Sequence, residues 1–193
     1  GIVTNLSSPQ PGVGVIGDNN IITSTEKKES DNNGIHLNLS QNEIKLIRQS
    51  WGKIKEEGVA TIGEELFIRF FEKQPETFLM FDDFSKNPNW KTTHEFKGHC
   101  RIVMNFLRGC VQSLEKEDHL AGTLEYLGLK HYGFGITQHQ FDVLGGILLD
   151  LLKEHLQDSG IWNNEVEGAW AKVYGFMSTI ILKRMNFNLN GSS

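Results

Sequence analysis

Apolar residues recur every three or four positions along most of the chain after residue 40, and this is the period of one face of an α-helix. Ser40 and Glu43 stand just ahead of the first apolar stripe, at the Ser-x-x-Glu spacing of a capping box. Ser40 is therefore the predicted N-cap of the first helix. The stripe that follows consists of Ile44, Ile47, Trp51 and Ile54.

Later stretches of the chain predict further helices of the same kind. A second helix begins near Val59 and ends before Pro75, which suits the first turn of a short third helix. After a loop, apolar positions predict a long helix over residues 96–110. A polar link over residues 113–122 separates it from a helix that ends at Gly133. Two long helices close the chain, and no alternating strand pattern is found in the sequence, so the predicted class is all-α.

The first 39 residues differ in composition from the rest. They are rich in Gly, Ser, Asn, Thr and Pro and have no sustained apolar period, which predicts a flexible, disordered N-terminal extension over residues 1–39. A chain of 193 residues suits one full-sized domain. The predicted organisation is therefore this extension, one domain over residues 40–187 and a flexible C-terminal tail over residues 188–193.

Charge and cysteine content narrow the class of protein. The formal net charge is −5 and the pI is about 5.8, which disfavours binding to nucleic acid or to anionic lipid. Cys100 and Cys110 would lie about 15 Å apart along one helix, too far for a disulfide, and two unpaired thiols suit a reducing compartment. With no signal-peptide pattern and no apolar run of membrane-spanning length in the sequence, we expect a cytoplasmic protein without membrane attachment.

Two of the predicted apolar faces carry a histidine, His99 on one helix and His131 on another. Burying an imidazole costs free energy unless both ring nitrogens find partners. One interpretation is a core histidine bonded to a backbone carbonyl, and for either histidine alone it would be preferred. Because both are surrounded by Phe, Val and Leu rather than by carboxylates, the pair favours the other interpretation, in which a metal binds them.

The type of metal centre follows from the other ligands that the sequence offers. It has neither the four closely spaced Cys or His ligands of a structural zinc site nor the paired Glu-x-x-His motifs of a di-iron bundle. A porphyrin supplies four in-plane nitrogen ligands and needs only axial ligands from the protein. Two such histidines and 12 phenylalanines, enough for an aromatic pocket, therefore favour haem.

An ordered set of residues resembles the globin family over residues 40–187, about three quarters of the chain. The segments Leu46-Ile47-Arg48-Gln49-Ser50-Trp51, Leu124-Glu125-Tyr126-Leu127 and Lys130-His131 are similar to neuroglobin-like proteins, and the chain also resembles globin X-like proteins. The other matching residues, in chain order, are Pro75, Phe81, Phe84, His99, Val103, Gly133, Trp170 and Tyr174. The resemblance implies a globin fold, with about eight helices in a three-on-three sandwich around a pocket for haem b.

The resemblance also implies roles for the pocket residues. His131 is the implied proximal ligand of the haem iron, and His99 is the implied distal residue. The other implied pocket residues are Phe81 against the macrocycle, Val103 over the ligand site, and Phe84, Leu127, Phe141 and Tyr174 as lining or backing. Three of these, Phe81, Leu127 and Phe141, are open to a second interpretation as ordinary core residues.

One position departs from the neuroglobin pattern. Neuroglobin has a lysine directed toward a haem propionate where this chain has Ile102. Lys97 and Arg101, on the same predicted helix, are the candidates to replace it.

The resemblance implies a haem protein that binds O2, CO and NO reversibly, for oxygen storage, sensing or transport. We expect His99 to coordinate the iron at rest, so that the protein is bis-histidyl and six-coordinate. The alternatives are a redox enzyme, either an NO dioxygenase or a nitrite reductase with a reductase partner, and an electron-transfer haem protein. A helical interaction domain without haem is a further alternative, which the two histidines argue against. No residue is assigned a catalytic role.

Overall fold

The computed structural model describes residues 34–187, and this part of the chain contains helices and no strand. The α-helices are α1 (Gln41–Glu57), α2 (Val59–Lys73), α3 (Pro75–Phe78), α4 (His94–Gln112), α5 (Glu117–His131), α6 (Gln138–Leu156) and α7 (Asn164–Phe187). Short 3₁₀ turns lie at Trp90–Thr92 and Gln157–Ser159. The predicted all-α class is confirmed. None of the helices between residues 34 and 187 is long and apolar enough to cross a lipid bilayer.

The start of α1 is the capping box predicted from the sequence. The Ser40 hydroxyl accepts a hydrogen bond from the backbone N–H of Glu43 over 3.2 Å. The Glu43 carboxylate in turn accepts one from the backbone N–H of Ser40 over 2.7 Å. At the end of α5 the predicted stop is also confirmed, since Gly133 follows the helix with a φ of 88°, in the left-handed region that a residue without Cβ adopts most easily.

Helix α5 begins earlier than the sequence pattern predicts. The predicted polar link over residues 113–122 is helical from Glu117 onward, so the expectation of a non-helical link is wrong over these residues. Leu120 and Ala121 on this turn are buried in the core, which makes the turn amphipathic although its exposed side is strongly polar. Glu117 and Asp118 lie in the first turn, where the helix dipole favours negative charge.

The helices pack closely on one another. Helix α7 contacts α1, α5 and α6, and α2 contacts α4 and α6. Helix α1 also packs against α4 and α6. These contacts form the helical sandwich implied by the resemblance, in which the histidine-bearing helices α4 and α5 pack against α2 and α7, respectively.

The described chain begins with a short segment, residues 34–39, that packs on the helical core. Leu37 is 8% exposed, and Ile35 and Leu39 are partly buried against the same core. The rest of the predicted N-terminal extension and the predicted C-terminal tail lie outside the described residues. The domain boundaries therefore stay predictions.

Candidate functional site

A cavity of about 470 Å³ lies among the helices. Its walls come from α2 through α7 and are mostly apolar. Apolar lining residues include Leu66, Phe67, Phe70, Phe106, Leu144 and Ile181. The volume lies within the range of small-molecule and cofactor sites, which is about 300–1,000 Å³.

His131 is the last residue of α5, and its side chain lines the cavity. Its ring nitrogen Nδ1 lies 2.9 Å from the backbone carbonyl oxygen of Leu127, one helical turn earlier. Because a carbonyl can only accept a hydrogen bond, Nδ1 carries the proton and donates it to this bond. The other nitrogen, Nε2, then has a free lone pair that a metal can use.

His99 lies in the second turn of α4, and its side chain lines the same cavity. Two phenyl rings contact it edge-on, with ring-centroid distances of 4.8 Å to Phe67 and 5.0 Å to Phe81. Between residues 34 and 187 no group forms a hydrogen bond with this imidazole. The interpretation as a core histidine bonded to a backbone carbonyl therefore describes one nitrogen of His131 and does not describe His99.

Burial lowers the pKa of both imidazoles. The pKa of His99 falls to about 4, mainly because the ring is removed from water and to a smaller extent because the charge of His131 would repel its own. Burial also lowers the pKa of His131, against the opposing effect of its hydrogen bond to Leu127. Both rings are therefore neutral at pH 7, which is the form in which imidazole binds a metal.

Most of the other residues predicted for the pocket are found at the cavity. Those that line it are Phe81, Val103, Leu127, Phe141 and Tyr174. Phe84 lies behind the cavity wall, where its ring stacks on that of Phe81 with a centroid distance of 5.1 Å. The proposed contacts of these residues with haem stay predictions.

Sequence reasoning missed several residues of the cavity. Phe67 belongs to a predicted apolar face, but no pattern distinguishes it from ordinary core residues. Thr77 and Gln140 are buried polar residues of the lining, and the Gln140 amide donates a hydrogen bond to the Thr77 hydroxyl over 2.8 Å. They are 63 positions apart, so no local signal connects them. Lys130 also lines the cavity, and its place beside His131 is its only sequence signal.

The available ligands suit haem better than a bare metal ion. Within the described range no group of three or more His, Cys, Asp or Glu side chains is arranged to hold a metal ion. Two neutral imidazoles do reach one apolar cavity of cofactor size, and each has a ring nitrogen without a partner in the described protein. A porphyrin, which supplies the four missing nitrogen ligands itself, fits this set of residues.

Comparison with known proteins decides the family. The sequence pattern of the family described as Globin matches residues 64–181, which is more than half of the chain and includes both cavity histidines. The chain belongs to the globin family. The resemblance noted in the sequence is thereby confirmed, and membership implies a haem cofactor, in agreement with the chemistry of the cavity.

Two curated relatives illustrate the range of this family. The "Globin, major polymeric component P1" of Glycera dibranchiata is 27% identical to this globin over 120 residues, which cover 61% of this chain and 82% of the relative. The "Anaerobic nitrite reductase HBI" of Casuarina glauca is 26% identical over 152 residues, which cover 76% of this chain and 97% of the relative. One of these names describes a component of a polymeric globin, and the other describes a nitrite reductase.

Two solved structures have the same fold. A hexacoordinated heme protein from an anhydrobiotic tardigrade superposes with a TM-score of 0.69 and 17% identity, covering 78% of this globin and 97% of that chain. The neuroglobin of the marine acoel Symsagittifera roscoffensis superposes with a TM-score of 0.66 and 21% identity, covering 76% and 99% of the two chains. At these identities the likeness shows the globin fold alone.

Proposed function

We propose that this globin holds haem b between His131 and His99 and binds O2, CO and NO reversibly. The observation that carries the proposal is that two neutral imidazoles line one apolar cavity, each with a ring nitrogen that has no partner in the described protein. The proposed resting state is six-coordinate, with both histidines as ligands, in a protein for oxygen storage, sensing or transport.

His131 is suited to be the proximal ligand. Haem supplies an iron atom that, in its ferrous state, binds diatomic gases reversibly. The Leu127 carbonyl holds the proton of His131 on Nδ1 and leaves Nε2 available. A hydrogen bond of this kind fixes the orientation of a ligating imidazole and makes it a stronger electron donor.

His99 is suited to be the distal ligand because no other group in the described protein bonds to its ring. Phe67 and Phe81 both contact the ring edge-on, and these contacts limit its movement. A gas molecule has to compete with this imidazole, and its apparent affinity falls in proportion to the fraction of molecules in which the imidazole is displaced. Once displaced, the ring can donate a hydrogen bond to the gas.

Visible spectra of the haem-reconstituted protein test the proposal. Sharp, split bands are expected in the ferrous form, and CO should replace them with the spectrum of a CO complex. A single broad ferrous band would contradict six-coordination. His131→Ala should shift the Soret peak and weaken hemin retention, whereas His119→Ala, at an exposed position of α5, should change neither. An unaltered Soret peak in the His131 variant would contradict its role as the proximal ligand.

An enzymatic function is the second candidate, because a relative of 26% identity is named an anaerobic nitrite reductase. Nitrite reduction and NO dioxygenation both require a reductase partner to supply electrons. Repeated turnover of nitrite or NO with an added reductase would support this function, and a single stoichiometric reaction would support gas binding. Electron transfer would be recognised by fast reduction that needs no open coordination site.

The proposed cellular context is a reducing, cytoplasmic one. Cys100 and Cys110 are both free thiols and both are buried. Burial raises the pKa of each thiol to about 12, so neither is readily oxidised or available for a disulfide. Within this context we propose residues 40–187 as the haem-binding domain. Cell fractionation with an antibody to the chain tests the location.

A further inference from the structure

Lys130 lines the cavity and is also exposed to solvent, so it lies where the cavity opens to the surface. Besides the two histidines, the polar side chains of the lining are Thr77, Lys130, Gln140, Tyr174 and Ser178. No Asp, Glu or Arg lines the cavity in the described part of the chain. Apart from the two proposed iron ligands, Lys130 is therefore the one basic side chain among these lining residues.

The two cations that the sequence suggested for contact with a haem propionate lie outside the lining of the cavity. Lys97 is 4.0 Å from the carboxylate of Glu64, and neither Lys97 nor Arg101 lines the cavity. Ile102 does line it, close to His99 on the same helix. At this position helix α4 therefore presents an apolar side chain to the cavity.

The Lys130 ammonium is held near the cavity opening without an anionic partner. It lies 5.2 Å from the centroid of the exposed Tyr126 ring, one turn earlier on α5. A cation–π contact at an exposed site contributes about 0.5–1 kcal/mol. Among residues 34–187 no carboxylate lies within ion-pair distance of this ammonium. Its charge is thus available to an anionic group that enters the cavity.

We propose that Lys130 binds a propionate carboxylate of the haem at the opening of the cavity. This inference rests on the proposed function. Haem carries two carboxylates on one edge, and the described lining offers them one cation and no competing anion. Lys130 therefore determines which edge of the haem faces the end of α5, in addition to strengthening its binding.

The rate at which hemin leaves the holoprotein for an excess of another apo haem-binding protein measures this contact. Lys130→Gln should release hemin about two- to fivefold faster than the wild-type chain at low salt, the range expected for one exposed ion pair. The difference should shrink as ionic strength rises. Lys130→Arg should restore slow release. Lys97→Gln and Arg101→Gln, at the two cations that the sequence suggested and that do not line the cavity, should release hemin at the wild-type rate.

Hemin dimethyl ester separates a contact with the carboxylate from a general effect on the pocket. The ester has no free carboxylate, so it should leave the wild-type chain and Lys130→Gln at equal rates. Equal acceleration of hemin and ester, or acceleration of neither, would overturn the proposal. Failure of the proposed function would give different results. If the wild-type chain does not take up hemin, both proposals are wrong. If it binds hemin without any dependence on His131, the proposed function is wrong and the ester comparison still decides the role of Lys130.

Discussion

The hydroxyl group of Tyr174 on α7 donates a hydrogen bond to the backbone carbonyl of Phe141 on α6 over 2.6 Å. Both residues line the cavity, so this bond joins the last two helices at the cavity wall. Burial raises the pKa of the Tyr174 hydroxyl, with a smaller contribution from the nearby Asp142 carboxylate. The hydroxyl therefore stays protonated and remains a donor at neutral pH.

Replacing Tyr174 with Phe should lower the free energy of unfolding by about 1 kcal/mol. The change removes one partly buried hydrogen bond and keeps the ring that forms the wall. Urea unfolding followed by circular dichroism measures the loss. Tyr126→Phe, at a hydroxyl that is exposed on α5, is the matched control and should be neutral. Equal effects of the two substitutions would contradict a specific contribution from the bond to Phe141.

Gly145 makes room for the Tyr174 ring, and this predicts opposite effects for two neighbouring glycines. A Cβ at position 145 would clash with Cε1 of Tyr174, whereas a Cβ at position 146 would meet nothing within 4 Å. Gly145→Ala should therefore destabilise the fold by about 1–3 kcal/mol through overpacking. Gly146→Ala should stabilise it by about 0.5–1 kcal/mol, because alanine is the better helix former. Thermal unfolding gives the melting temperature of each variant, and a shift of both melting temperatures in the same direction would refute this account.

The positions of most helices could be predicted because their signals are local. The apolar stripes of α1 and α4 and the capping box at Ser40 are each contained within a few turns of chain. The start of α5 could not be predicted from the charge run at Glu117, since the burial of Leu120 and Ala121 that favours a helical turn there comes from tertiary packing, which a local polar run does not reveal.

The candidate site was likewise only partly predictable from the sequence. His99 and His131 could be predicted because an imidazole on an apolar face is unusual in itself. The set of residues that line the cavity could not be predicted, because packing between helices determines which side chains reach it. Phe84 is as apolar as Phe67, yet Phe84 packs behind Phe81 while Phe67 reaches the cavity.

Removal of the distal imidazole should speed ligand binding, provided that His99 occupies a coordination position at rest. In His99→Leu a gas no longer competes with the ring, so CO should bind the ferrous protein about tenfold faster or more. The split ferrous bands should also be lost. Rapid mixing with CO measures the rate, and His119→Leu is the control at an exposed histidine. Equal CO rates in the wild-type chain and His99→Leu would show that His99 does not compete with ligand.

The Ser50 hydroxyl accepts a hydrogen bond from a buried indole N–H, so removing this hydroxyl should lower the free energy of unfolding. The Trp170 indole N–H donates to the Ser50 hydroxyl over 2.9 Å, and this hydroxyl donates to the Ile47 carbonyl over 2.9 Å. Ser50→Ala leaves the indole N–H buried without a partner, which should cost about 1–3 kcal/mol. Chemical unfolding measures this loss against Gln49→Ala, an exposed neighbour expected to be neutral. A neutral Ser50→Ala would mean that water replaces the hydroxyl.

The capping box makes stability depend on pH through Glu43. Its carboxylate accepts hydrogen bonds from the Lys172 ammonium on α7 and from the backbone N–H of Ser40. These bonds, the one from Lys172 first, lower the pKa of Glu43 from its ordinary value of 4.5 to about 2. Because the folded pKa lies below the unfolded one, the ionised carboxylate stabilises the fold fully above about pH 4.5. This contribution is lost as the pH falls toward about 2.

Glu43→Gln should therefore destabilise the protein by about 0.5–1 kcal/mol at pH 7, a modest figure because the Lys172 partner is half exposed and screened by solvent. Glutamine can still accept the hydrogen bond from Ser40, so the variant removes the charge and largely keeps the cap. The difference from the wild-type chain should narrow below pH 4.5 and vanish near pH 2, as measured by denaturant unfolding at a series of pH values. Lys172→Met should reproduce most of the loss over the same pH range, since it removes the cation that Glu43 binds. A Glu43→Gln difference that is as large at pH 3 as at pH 7 would show that the cap geometry, and not the charge, is what Glu43 contributes.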